Sequence, residues 1–100
     1  MQIVMVEFAV GADRVDACVA AVSEATSTLV APQPAFHGAT IHREDATGTV
    51  WNVMRWDSHQ AFIDFRDSNA ERIGALLGEF GPHGHMLDVA VAVEPKDETA

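Results

Sequence analysis

Thr49 to Phe65, TVWNVMRWDSHQAFIDF, is the stretch whose reading decides the fold. Its first half alternates: Val50, Asn52, Met54 and Trp56 share one face of an extended segment, and Thr49, Trp51, Val53 and Arg55 share the other. The period then changes. Ala61, Phe62 and Phe65 form the buried side of a helix, and Asp57 offers a side-chain oxygen to cap it, with Gln60 three positions on as a reciprocal partner. A strand therefore runs straight into a helix, and an amide and an indole sit four residues apart on one face just before the turn.

Upstream, Asp45-Ala46-Thr47-Gly48 supplies turn chemistry, and Phe36 to Glu44 is a strand that pairs with the first as a hairpin. Before it, Val15, Cys18, Val22, Ala25 and Leu29 recur at spacings of three and four, a helical stripe that ends ahead of Pro32. Gln2 to Val10 is a strand rich in bulky residues, closed by Gly11. Downstream, Asp67-Ser68-Asn69 reads as a break and a fresh cap, followed by a second stripe of Ala70, Ile73, Leu77 and Phe80. After Gly81-Pro82-His83-Gly84, His85 to Glu94 alternates as a last strand, with Leu87, Val89, Val91 and Val93 on one face. Residues 1–95 are expected to form one domain, with 96–100 a flexible acidic tail.

The order strand, helix, strand, strand, helix, strand predicts an α+β fold, a ferredoxin-like βαββαβ split unit with helices on one face of an antiparallel sheet. The first and last strands are apolar on both sides. A bare sheet face of that kind calls for a cover, and a homodimer packed sheet against sheet supplies one.

The chain has 100 residues, 15 acidic and 6 basic, with a formal net charge of −9. That balance removes any general attraction to phosphate backbones or anionic lipid, so nucleic acid and membrane surfaces are excluded as expected partners. MQIVMVEFAV has no basic leader, and no apolar run reaches the ~18 residues of a membrane span. A cytoplasmic location is expected. The single cysteine, Cys18, falls on the first helical stripe and reads as core.

With this architecture in place, Pro34-Ala35-Phe36-His37-Gly38-Ala39-Thr40-Ile41-His42 resembles the P-G-F-x-x-A-x-x-H entry to the second strand in the antibiotic biosynthesis monooxygenase family, dimeric α+β barrel proteins. Asn52, Trp56, Ser58, Ala61 and Phe62 resemble its V-x-N-x-x-x-W-x-S-x-x-A-[FY] run. The asparagine and tryptophan are similar to the pair in members that oxidise anthrone-type polyketide intermediates without flavin, haem or metal. The resemblance implies a cofactor-free monooxygenase of secondary metabolism that takes an electron-rich aromatic and dioxygen. Asn52 and Trp56 would be the catalytic donors, and Phe36, Met54, Phe62, Phe65 and Phe80 would line the substrate pocket. Phe62 stands where such members can carry a tyrosine, and the chain contains no tyrosine. The haem-degrading branch carries an asparagine on the first strand, a tryptophan at the position of Phe65 and a histidine at that of Ala75, none of which is present here.

Other readings of the same residues stay open. Asn52 bonded to a neighbouring backbone group and Trp56 packed under the helix would be purely structural. A non-redox small-molecule-binding module, or a polyketide cyclase or isomerase of the same fold, would use the same pocket. Five histidines without carboxylate or cysteine partners at ligand spacing make a poor metal site. His37, His42 and His85 are each eligible as a base, and Glu7 and Asp88 are expected to pair with Arg43 or Arg55 across the dimer.

Overall fold

The computed structural model describes residues 1–96. Four strands, β1 (Gln2–Ala9), β2 (Phe36–Glu44), β3 (Thr49–Trp56) and β4 (His83–Leu87), form one antiparallel sheet in the order β2-β3-β1-β4. Helix α1 (Val15–Ala25) links β1 to β2, and α2 (His59–Ser68) followed by α3 (Ala70–Leu77) links β3 to β4. This is the expected ferredoxin-like α+β unit.

The face of the sheet under the helices carries two packed clusters. Val4, Leu29, Val30, Met54, Trp56, Phe62 and Phe65 form one. Phe8, Val15, Cys18, Val22, Val50 and Phe80 form the other. On β3 the boundary falls between Val50 and Met54, and Asn52 occupies that boundary. Val6, its partner on β1, packs against both clusters. The seam between two cores is where the fold leaves room.

Local chemistry explains several element ends. Gly48 closes the β2–β3 hairpin at φ 68°, with its N–H donating to Glu44 O at 3.0 Å. Its carbonyl accepts from Val10 N and Gly11 N, both at 3.0 Å, so the turn also ties down the end of β1. A Cβ at this position would stand 2.3 Å from the Gly11 carbonyl carbon, which leaves glycine as the residue that fits.

Three sequence expectations are corrected. Ser58, not Asp57, caps α2: Ser58 has the extended backbone of a cap and its Oγ accepts from Ala61 N at 3.1 Å. Asp57 instead engages the His37 ring, and Gln60 bonds Asp64 within the helix. Asn69 does not cap α3 with its side chain; its Nδ2 donates back to Phe65 O at 2.9 Å and finishes α2. The third correction concerns β4, which spans His83–Leu87 and not His85 to Glu94.

The reason for that shift lies in β1. Leu87 pairs with Ile3 and His83 with Glu7, so β1 runs out of residues just past Leu87. Asp88 is held by the Gln2 side chain at 2.9 Å, and beyond it Val89, Val91 and Val93 are 66%, 77% and 87% exposed. Their alternation is real, but among the described residues no strand is left to pair with them. Residues 97–100, most of the expected acidic tail, lie outside the described residues.

One further feature was not anticipated. The α1 stripe runs on as expected, but its last turn, Thr26–Val30, widens into a π-helical turn. Thr26 and Thr28 both bond back to carbonyls four residues earlier, Thr26 Oγ1 to Val22 O at 2.7 Å and Thr28 Oγ1 to Glu24 O at 2.8 Å.

Candidate functional site

The seam between the two cores opens into a cavity of about 320 Å³ between sheet and helices. That is the lower end of the range for small-molecule sites. Its walls are apolar: Val6 and Phe8 from β1, Leu29 and Val30 from the π-helical turn, Met54 from β3, Phe62 and Phe65 from α2, Ile73 and Leu77 from α3, and Met86 from β4. Among the described residues, polar side chains come from Thr26, Asn52 and Arg66 alone.

Asn52 is 6% exposed, a buried amide between Val50 and Met54 on the strand. Its Nδ2 donates to Thr26 Oγ1 at 3.1 Å, and Thr26 Oγ1 in turn donates to Val22 O at 2.7 Å. The amide oxygen, Oδ1, is buried and has no partner among the described residues. Buried polar atoms are normally paired, and this unpaired acceptor belongs to a side chain that lines the cavity. Arg66 reaches the cavity from the end of α2. Its guanidinium lies 6.0 Å from the Phe62 ring centroid and its Nε donates to Asp67 at 3.3 Å.

Trp56 stands on the same face of β3 but does not line this cavity. It is 1% exposed and packs against Phe36, Phe62 and Phe65 with ring centroids 5.6, 5.6 and 5.5 Å away. It contributes instead to a second cleft, beside Gln33 to Ala35 and the outer side of α2, and its Nε1 has no partner among the described residues. Phe65 lines both spaces.

Of the expected site residues, then, Asn52, Met54, Phe62 and Phe65 meet in the main cavity. Phe36 packs on Trp56, and Phe80 fills the second core cluster beside Phe8; neither lines the cavity. Sequence reasoning missed Thr26 and Arg66. Both carried a positional signal: Thr26 is four residues after Val22 and beside Ala25 on the stripe, and Arg66 is four after Phe62, so each shares a helical face with known core residues.

The histidines lie elsewhere. His37 pairs with Asp57, His42 Nε2 is 2.8 Å from Thr40 Oγ1, and His85 Nε2 is 3.8 Å from Glu7 Oε1. None of them lines the cavity. Among the described residues no three His, Cys, Asp or Glu side chains converge as metal ligands would. Within the chain, the carboxylates expected to meet arginines have other partners: Glu7 faces His85, and Asp88 accepts from Gln2. Arg43 is engaged by Asp16 at 2.9 Å and Asp45 at 2.8 Å, bonds that raise its pKa further, and Arg55 donates to His37 O at 3.3 Å.

A four-stranded antiparallel sheet with helices on one face and a cavity between the layers defines a ferredoxin-like α+β protein. The antibiotic biosynthesis monooxygenase family model matches residues 1–72, and the chain belongs to that family. No curated protein sequence matches the chain. Solved structures agree on the fold. The monooxygenase ActVA-Orf6 of Streptomyces coelicolor, in complex with the ligand nanaomycin D, superposes with a TM-score of 0.78 at 20% identity, covering 95% of this chain and 92% of that one. SnoaB, a cofactor-independent oxygenase from Streptomyces nogalater solved as an asparagine-to-alanine mutant, gives 0.68 at 18% identity over 94% and 98% of the two chains. Rv0793 from Mycobacterium tuberculosis gives 0.68 at 18% identity over 99% and 98%.

Proposed function

We propose that this protein is a cofactor-independent monooxygenase that oxidises an electron-rich aromatic of the anthrone or polyphenol type with dioxygen, in secondary metabolism. The observation that carries the proposal is the apolar cavity of about 320 Å³ with a buried, incompletely bonded asparagine on its wall. Membership of the family and the fold shared with ActVA-Orf6 and SnoaB support a monooxygenase-type role.

In this proposal the substrate supplies the electrons. A methylene flanked by aromatic rings loses a proton to a base from solvent, and the resulting anion is stabilised by its own ring system. Dioxygen then adds at that carbon, the second C–H proton is lost and the O–O bond breaks. The carbon gives up four electrons and dioxygen takes them; one oxygen atom becomes the new carbonyl and the other leaves as water.

The chain's part is to bind and orient. The apolar walls take the rings and exclude water, which strengthens every charge interaction inside. Arg66 favours the anion over the neutral substrate. Nδ2 of Asn52 carries two hydrogens and uses one on Thr26, so the second is available to an oxygen of the anion or peroxide. Trp56 Nε1–H is buried and has no partner among the described residues, and it serves as a second donor only for a ligand that parts the rings around it.

A specific observation favours a second proposal, a binding module without redox chemistry: Arg66 is the sole ionisable side chain on the cavity wall among the described residues, so no protein base is at hand. One experiment separates the two. Metal-free protein is mixed with a reduced anthrone or a dihydroxynaphthalene in air and oxygen uptake is followed. Uptake above the uncatalysed rate, lowered by Asn52→Ala, is the expected result. Tight binding with uptake at the background rate would establish the binding module instead.

The proposal includes a homodimer working in the cytoplasm. The sheet face away from the helices carries half-buried Ile3, Met5, Trp51 and Val53, a patch that a second copy would cover. No helix among the described residues is long and apolar enough to cross a membrane.

A further inference from the structure

We propose that Thr26 is a positioning residue that fixes the Asn52 amide with its carbonyl oxygen left for the ligand, so that the cavity selects molecules bearing a hydroxyl or other hydrogen-bond donor. This rests on the cavity being the ligand site, as proposed above, and names the feature that the ligand must carry.

The number of hydrogens on each group fixes the direction of these bonds. A threonine hydroxyl has one hydrogen, and that of Thr26 goes to Val22 O at 2.7 Å. Towards Asn52 the Thr26 oxygen is therefore an acceptor. The group facing it at 3.1 Å must be a donor, which assigns that atom as Nδ2 and turns Oδ1 the other way. With the amide reversed, Oδ1 would confront the lone pairs of Thr26 unless the hydroxyl abandoned Val22. Thr26 also opens the π-helical turn, a helix irregularity often found at functional sites.

Nothing among the described residues completes Oδ1. Its neighbours across the strands are Val6 and Ile41, which have no side-chain donors, and among the described residues it has no partner. A ligand hydroxyl can donate to Oδ1 and accept from the free hydrogen of Nδ2. An ether, ketone or quinone oxygen can only accept, and leaves Oδ1 orphaned in a water-poor cavity. Of a ketone and its enol, only the enol meets the requirement. The amide thus distinguishes two forms of one substrate as well as two substrates.

The test compares 1-naphthol with 1-methoxynaphthalene by equilibrium binding to the intact protein. Asn52→Leu serves as the reference, which removes any preference due to ring solvation alone. Relative to that reference the native protein is expected to favour the naphthol by about tenfold, the worth of one ordinary hydrogen bond. Thr26→Val is expected to abolish most of that preference and Thr26→Ser to keep it. Val22 O retains a backbone donor, Thr26 N, in each variant, so the helix itself is spared. A naphthol preference equal in the native protein and Asn52→Leu overturns the proposal, as does a Thr26→Ser protein that behaves like Thr26→Val. If Thr26→Val fails to fold, the Asn52→Leu and Thr26→Ser comparisons decide. Oxygen uptake on the same proteins separates the two claims. Uptake without hydroxyl preference sinks this inference and leaves the oxygenase, and preference without uptake does the reverse. Failure of both ligands to bind overturns this inference, and oxygen uptake then decides the oxygenase by itself.

Discussion

Asn52 and Trp56 stand on one face of β3 and line different spaces, with the Phe65 ring contributing to the walls of both. Four residues along a strand cover ~13 Å, so a shared face is no guarantee of a shared pocket. The two residues should therefore separate in experiment. Trp56 is surrounded by three phenylalanine rings, and Trp56→Ala is expected to cost about 3–5 kcal/mol in urea unfolding. Trp56→Phe should cost less, because it also deletes a buried N–H without a partner. Asn52→Leu replaces an incompletely bonded amide by an apolar group of similar size and should stay within about 1 kcal/mol of the native protein. A Trp56→Ala protein no less stable than Asn52→Leu would show that the tryptophan is not a core residue.

What the sequence made legible was periodicity. Alternation over Thr49 to Trp56 and the stripe from Val15 to Leu29 are properties of the chain, and the strand and helix appear where those patterns lie. The same pattern misled at the C-terminal end. Val89, Val91 and Val93 alternate as well as any strand, yet a strand needs a neighbour, and whether β1 is long enough to provide one depends on register. The site was half legible for a related reason. Facing direction is local, so Asn52, Met54, Phe62 and Phe65 could be grouped, but the partition of space between helices is not, so Phe36, Trp56 and Phe80 fell outside the cavity. Thr26 was legible as a stripe neighbour, four residues after Val22, but the bond that ties it to Asn52 across 26 residues was not.

Two glycines should respond to alanine in opposite directions. At Gly48 the backbone is left-handed and a Cβ would collide with the Gly11 backbone, so Gly48→Ala should destabilise by at least ~1–3 kcal/mol and loosen the bonds from Val10 and Gly11. Gly74 lies in α3 with nothing within 4 Å of a Cβ, so close approach is not its purpose, and Gly74→Ala should stabilise by up to ~1 kcal/mol. Denaturation midpoints of the two variants check both signs. A neutral Gly48→Ala would mean that the hairpin can open away from β1 without loss.

The proposed dimer makes a sharp demand on Val53. It sits on β3 between Met5 of β1 and Thr40 of β2, near the middle of the face away from the helices. A stable interface buries roughly 800 Å² on each partner, most of what one face of a sheet this size offers, so a charge at its centre is left without water. Val53→Arg should convert the dimer to a monomer by sedimentation velocity while the far-ultraviolet spectrum stays native. Native protein that sediments as a monomer at tens of micromolar would remove the dimer from the proposal.

Cys18 gives the pH dependence a sign. It is fully buried in the second core cluster between Val15 and Val22, and burial pushes its thiol above the ordinary value of 9.0, with the charge of Arg14 opposing in part. The folded chain therefore holds this proton to higher pH than the unfolded chain does. Above pH 9.0 the unfolded state binds fewer protons, so stability present below that pH is lost as pH rises through the folded pKa. Unfolding free energies measured from pH 7 to 11 should fall more steeply for the native protein than for Cys18→Ala, with the difference starting near pH 9.0. The same burial predicts that a thiol reagent at pH 8 labels the native protein only as fast as it unfolds, and labels it at once in urea. Equal slopes for the two proteins, or immediate labelling without denaturant, would mean that α1 exposes this face in solution and that the core beside the cavity is looser than its packing indicates.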